Sequence, residues 1–145
     1  MKISLEPANL QENEIIIRGN ISSPEIESLL SFINSANTRG KLILQREDEQ
    51  FFVDYKEVIY FESFDGKVLV HTQSGEYQTK QKLYEILDTL KAQPFVQISK
   101  SVIVNIDFVK SVSAEFSGNY SLKLKTGKEV LTISRKYFKE FKEKI

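Results

Sequence analysis

The chain reads as an α+β fold that is mostly β, with small antiparallel sheets, a mid-chain helix and a C-terminal helix, preceded by a short ββα extension. Three observations predict it. From Lys41 onward, short runs rich in β-branched and aromatic residues, such as 42–44, 51–53 and 58–62, are separated by turn residues. Asp65-Gly66 and Ser74-Gly75 tolerate the positive φ angles of tight hairpins between such runs. Apolar residues recur at helical spacing in only three places, after Ser23, after Lys80 and after Ser134.

Taken in order, residues 1–5 and 14–18 read as two strands, the second containing Ile15-Ile16-Ile17, with Gly19-Asn20 as punctuation. Ser23 followed by Pro24 offers an N-cap with proline at the first helical position, and Glu25 and Glu27 suit the positive end of the helix dipole. Ile26, Leu29, Leu30 and Ile33 continue a helix of about ten residues. The small and polar run 34–40 is the expected boundary between a 1–40 extension and a 41–145 domain. Strands follow at 42–44, 51–53, 59–64, 67–72 and around Tyr77. Leu83, Ile86, Leu87 and Leu90 then lie on one face of a helix over 80–91, which Pro94 stops. Further strands are expected at 96–99, 109–116, 120–125 and 130–133, with turns at Asn105-Ile106-Asp107, Gly118-Asn119 and Thr126-Gly127. Ser134 is expected to cap the last helix, which carries Tyr137, Phe138, Phe141 and Ile145 on one side and Lys136, Lys139, Lys142 and Lys144 on the other.

Composition narrows the function. The 145 residues, 41% of them hydrophobic, suffice for a real core. The absence of cysteine removes disulfides, thiolate nucleophiles and Cys-ligated metal sites. There is no glycine-rich phosphate loop and no metal-ligand spacing, and the one histidine, His71, has no serine partner for nucleophilic catalysis. The chain is therefore expected not to be an enzyme and to need no cofactor or small-molecule substrate. No signal peptide or long apolar run is visible, so a cytoplasmic location is expected. The net charge of zero hides an asymmetry: residues 1–94 carry 10 Lys/Arg against 15 Asp/Glu, and residues 95–145 carry 10 against 5. A basic C-terminal third suits an anionic partner such as nucleic acid or a membrane surface.

The strongest local signals are two segments in which a serine stands beside a cation inside an apolar run. They are Phe95-Val96-Gln97-Ile98-Ser99-Lys100-Ser101-Val102-Ile103-Val104-Asn105 and Leu131-Thr132-Ile133-Ser134-Arg135-Lys136-Tyr137-Phe138. Together with Val58-Ile59-Tyr60-Phe61-Glu62-Ser63, Gly75-Glu76-Tyr77, Leu83-Tyr84-Glu85-Ile86-Leu87 and Gly127, all in the same order, they resemble the LytTR domain, the mostly-β DNA-binding module of many bacterial response regulators. The resemblance covers roughly residues 41–145. It implies loops, rather than a recognition helix, that enter successive major grooves of double-stranded promoter DNA. The family's contacting positions fall on Lys67, or on Asp65 or Gly66 given a one-residue gap, then on Lys100, and on Arg135. Some relatives place His or Asn at the first two, where this chain has Lys.

Arginine can pair bidentately with guanine O6 and N7, whereas lysine serves phosphate or guanine as a point charge. Ser99, Ser101, Ser134 and Lys136 fit supporting contacts to phosphate. Residues 1–40 are too few for a phosphate-accepting receiver, so the resemblance is to stand-alone transcription regulators. It implies a pair of subunits on direct repeats. The extension is expected to serve homodimer formation or contact with a membrane-bound inhibitor protein, through an edge strand at 15–17. The competing reading is an adaptor that binds protein or a membrane surface through its basic C-terminal helix. Structural roles are expected for His71, for the aromatic set around Phe51, Tyr60 and Phe61, and for Asn105 as a turn former; Glu47-Asp48-Glu49 is expected to be a solvated turn.

Overall fold

The computed structural model describes residues 1–36, 41–127 and 129–145. Residues 1–22 contain no strand, so the two expected at 1–5 and 14–18 do not form. Ile3, Leu5, Ile15 and Ile16 are all largely exposed there. Strand propensity in the Ile15-Ile16-Ile17 run has no ladder to join, and a lone pair of strands is marginal in water even with a good turn. The helix that follows does form, as α1 (Pro24–Ala36), with the Ile26 N–H donating to Ser23 Oγ at 3.3 Å. The boundary expected over 34–40 lies mostly outside the described residues. The chain divides into two compact units, Met1–Ile33 and Asn34–Ile145.

The second unit holds every strand found among the described residues. A seven-stranded antiparallel sheet is built from β1 (Lys41–Arg46), β2 (Glu49–Asp54), β3 (Val58–Phe64), β4 (Lys67–Thr72), β5 (Gly75–Thr79), β6 (Phe95–Gln97) and β7 (Val102–Asn105), in the order β2-β1-β5-β4-β3-β7-β6. A three-stranded sheet runs β10-β9-β8, from β8 (Val109–Ala114), β9 (Tyr120–Leu124) and β10 (Val130–Ile133). The two helices of this unit are α2 (Leu83–Thr89) and α3 (Phe138–Lys144). The helix α2 starts later than its apolar spacing suggests because Lys82 is still extended and acts as N-cap, its N–H donating to Glu85 Oε1 at 3.3 Å.

Strand β3 is the spine of the larger sheet. Its run Val58-Ile59-Tyr60-Phe61 is buried on both faces, which is why it reads as continuous apolar residues rather than alternation. A register irregularity between Val58 and Tyr60 adds a residue, so Val58 and Phe61 face one core while Ile59 and Tyr60 face the other. The first core packs Phe61, Val70, Phe95 and Ile103 against Ile86 and Leu90 of the α2 region. The second packs Val96, Ile98 and Val104 against Leu122, Leu124 and Ile133 of the smaller sheet and Phe141 of α3.

Asn105 ties these layers together. It is 1% exposed, its Nδ2 donates to the Val58 carbonyl at 2.8 Å, and its Oδ1 accepts from the Asp107 N–H at 3.0 Å, opening the 3-10 turn Ile106–Phe108. The turn-forming role expected for it holds, with a side-chain bond to the neighbouring strand β3 added. At the end of the sheets remote from Lys67, Tyr60 stacks on His71 with centroids 4.1 Å apart and donates its hydroxyl to Glu129. Burial, with the Glu129 carboxylate beside it, pushes the Tyr60 phenol upward, so it stays protonated. His71 lies between Glu62 at 3.4 Å and Glu76 at 3.7 Å, a structural setting as expected. Glu47, at φ 53°, makes the β1–β2 turn together with Asp48.

Candidate nucleic-acid interface

The sequence pattern places cations in three loops, and the strand order brings those loops to one end of the second unit. The first is the β3–β4 hairpin, where Asp65 and Gly66 take φ of 51° and 75°, the pair of positive values a two-residue hairpin turn requires. That turn sets Lys67 opposite Phe64, exposed at the start of β4. The second loop links β6 to β7, and β7 is the neighbour of β3 on the side away from β4. Here the Ser63 N–H donates to the Ser101 carbonyl at 2.7 Å, so the second loop is fastened to the base of the first. Within it the Ser101 N–H donates to Ser99 Oγ at 3.3 Å, and the Ile98 N–H to the Val102 carbonyl at 2.9 Å. Lys100 sits at the crest, exposed, between half-buried Ser99 and Ser101.

The third loop leaves β10 at Ser134. Its N–H donates to the Ile98 carbonyl at 2.8 Å, which joins the smaller sheet to the second loop. Arg135 and Lys136 follow, both exposed. The backbone therefore forms a chain of bonds from Ser63 through Ser101 and Ile98 to Ser134, and Lys67, Lys100 and Arg135 stand on its segments. These hydrogen bonds are main chain to main chain, so substitution of the cations leaves the scaffold in place.

The expected helix cap does not form. Residues Arg135–Tyr137 make a 3-10 turn in which the Tyr137 N–H bonds the Ser134 main-chain carbonyl at 2.8 Å, leaving the Ser134 hydroxyl without a capping bond. The Arg135 N–H is likewise taken, by Asn119 Oδ1 at 3.1 Å. The helix α3 starts only at Phe138, so Arg135 lies before the helix rather than in its first turn.

Asn119 and its neighbour Gly118 are residues that sequence reasoning marked only as a turn. They belong to the β8–β9 hairpin, and the register that pairs Tyr120 with Ile133 puts that hairpin beside Ser134. Gly118 has φ 93°, and a Cβ there would lie 3.3 Å from Arg135 Nη1, so the guanidinium rests on the glycine. Gly118→Ala is therefore expected to strain the turn and displace the Arg135 side chain while the melting temperature falls only a few degrees. Amide shifts of residues 134–136 and calorimetry of the variant check this.

The C-terminal helix offers less of a basic face than its composition suggests. Among its cations, Lys144 Nζ donates to the Lys91 carbonyl at 3.1 Å, and Lys142 lies over the Phe138 ring at 5.3 Å. Phe141 is buried, so α3 is chiefly a packing element for the second core. No group of three His, Asp or Glu side chains suited to a metal ion occurs among the described residues. No helix among them is long and apolar enough to cross a membrane.

The fold has counterparts among known proteins. Residues 48–145 match the model of the LytTr DNA-binding domain. The chain belongs to the LytTR family. It is similar to the solved LytTr DNA-binding domain of a response regulator from Bacillus cereus, with a TM-score of 0.67 and 24% identity over 72% of this chain and 94% of that one. It is 32% identical over 110 residues to the sensory transduction protein LytT of Bacillus subtilis (strain 168), an alignment covering 76% of this chain and 45% of LytT. The chain thus spans under half the length of that relative. An HTH-type transcriptional regulator of Staphylococcus aureus (strain NCTC 8325) is 28% identical over 138 residues, 95% of this chain and 92% of that protein, so this match reaches into the first forty residues.

Proposed function

We propose that this LytTR protein is a sequence-specific transcriptional regulator whose three cationic loops enter successive major grooves of duplex promoter DNA. The observation that carries the reading is the convergence of Lys67, Lys100 and Arg135 on loops joined by the Ser63 to Ser101 and Ser134 to Ile98 backbone bonds. Arg135 is assigned a base contact to guanine, and Lys67 and Lys100 contacts to guanine or phosphate. Ser99, Ser101, Ser134 and Lys136 hold the phosphate register. The Ser99 hydroxyl already accepts from Ser101 N–H and keeps its own proton to donate to phosphate. Fluorescence anisotropy with the protein's own upstream fragment and a scrambled one, at several salt concentrations, tests the reading. The expected preference is at least about 10³-fold, with affinity falling steeply as salt rises. Equal binding to both fragments contradicts it. Salt-sensitive binding to anionic vesicles instead would favour the adaptor alternative, which the short and packed α3 supports poorly.

The extension is assigned to homodimer formation or to contact with a membrane-bound inhibitor. Its edge strand is absent, and the support is now the apolar exposure of Ile3, Leu5, Ile15 and Ile16. Removal of residues 1–40 is expected to change the oligomeric state seen by sedimentation or to release the protein from its regulation. A shortened chain unchanged in both respects contradicts this assignment.

A further inference from the structure

Phe116 is 113% exposed, more than any other large apolar side chain among the described residues, and it stands at the tip of the β8–β9 hairpin. Single exposed apolar residues are common and need no explanation by themselves. This one is held out by its surroundings. The Glu115 N–H donates to the Asn119 carbonyl at 3.0 Å and the Gly118 N–H to the Glu115 carbonyl at 3.2 Å, which closes the turn. The Ser117 hydroxyl bonds Glu115 Oε2 and accepts from the Asn119 N–H, both at 3.3 Å, so the tip is braced by its own side chains. The same turn caps Arg135 through Asn119 and carries its guanidinium on Gly118.

The chemistry of the tip separates base from backbone. An uncharged ring next to a carboxylate is unsuited to phosphate, which would repel Glu115 and gain nothing from Phe116. Base edges accept both groups: an apolar side chain packs on the thymine methyl, and a carboxylate accepts from cytosine N4. An apolar ring can also wedge into an opened base step. We propose that the β8–β9 tip is a fourth DNA-contacting element, in which Phe116 buries its ring against bases beside the position read by Arg135. The proposal rests on the DNA-binding reading above. It makes Phe116 an affinity and specificity residue whose contribution is apolar, so it releases no counterion and leaves the salt slope untouched.

The test is a titration of the full chain and of Phe116→Ser and Phe116→Leu against the promoter fragment across salt concentrations. Thermal melts and sedimentation accompany it. Because the ring packs on nothing in the chain, both variants should melt like the wild type. Phe116→Ser is expected to lose about tenfold or more in affinity, as befits exposure of a large apolar side chain, with an unchanged slope, and Phe116→Leu to retain most of it. Thymine-to-uracil and 2-aminopurine replacements through the footprint locate the contact on a methyl group or on an opened step. If the wild type prefers its promoter and Phe116→Ser binds within twofold of it, the proposal is overturned while the DNA reading stands. A loss that tracks a change in oligomeric state, or no response at any replaced base, also overturns it. Failure of the wild type to bind duplex DNA would remove the underlying reading itself, and the proposal with it.

Discussion

Arg135→Ala is expected to weaken promoter binding by about 1–3 kcal/mol, the range in which a bidentate arginine discriminates guanine from other bases, and to relax preference at one position of each half-site. Arg135 follows a loop fixed by the Ser134 bond to Ile98 and by the Asn119 cap on its own N–H, so its side chain leaves a defined point. Removing the guanidinium leaves those bonds intact, and stability should change little. Lys139→Ala, one turn further along the exposed side of α3, serves as the comparison. Its effect should be confined to the salt slope, equal on specific and scrambled fragments. Equal losses on both fragments for Arg135→Ala would show that Arg135 contributes charge without reading a base.

The second large effect concerns stability. Asn105→Leu is expected to destabilise the fold by about 2–4 kcal/mol, because it strands the Val58 carbonyl in the core and deprives the Asp107 N–H of its acceptor. In a domain of this size each kcal/mol moves the melting temperature by about 3–5 °C, so the shift should be easily read by calorimetry. Asn105→Asp should be nearly as harmful. It keeps the acceptor for Asp107 but turns a carboxylate toward the Val58 carbonyl. A melting temperature unchanged in both variants would mean that the two bonds contribute nothing net.

How far the residues disclosed this depends on whether the signal was local. Hairpins were legible because Asp65-Gly66 has one practical conformation between two apolar runs, and it places Lys67 without reference to the rest of the chain. Strand β3 was legible in its Val-Ile-Tyr-Phe run, whereas its burial on both faces emerged only from the two cores that pack on it. The failures share a cause in tertiary partners. Ile15-Ile16-Ile17 has the composition of a strand but nothing to pair with. Ser134 has the chemistry of a cap, but the 3-10 turn directs the Tyr137 N–H to the Ser134 carbonyl instead. The joining of seven strands into one sheet rests in part on the single Gln45 to Gln78 pairing between β1 and β5, which no local pattern encodes.

The candidate site divides the same way. Segments bearing Lys67, Lys100 and Arg135 stood out through residue types and through the family resemblance. The roles of Asn119, Gly118 and Phe116 did not, because they depend on β9 pairing with β10 in the register that sets Tyr120 opposite Ile133. With that register in hand, a turn-forming Gly-Asn pair becomes the support of an arginine.

The three fastened loops form the end of the fold at which DNA is expected to bind. Backbone amide shifts of the isotope-labelled full chain, followed as promoter duplex is added, test this most directly. The predicted result is a cluster of large shifts at Lys67, residues 99–101 and 134–136, and the β8–β9 tip, with His71 and Glu129 at the far end unmoved. Shifts confined to the Lys139 and Lys142 face of α3, or centred on the far end, would contradict it.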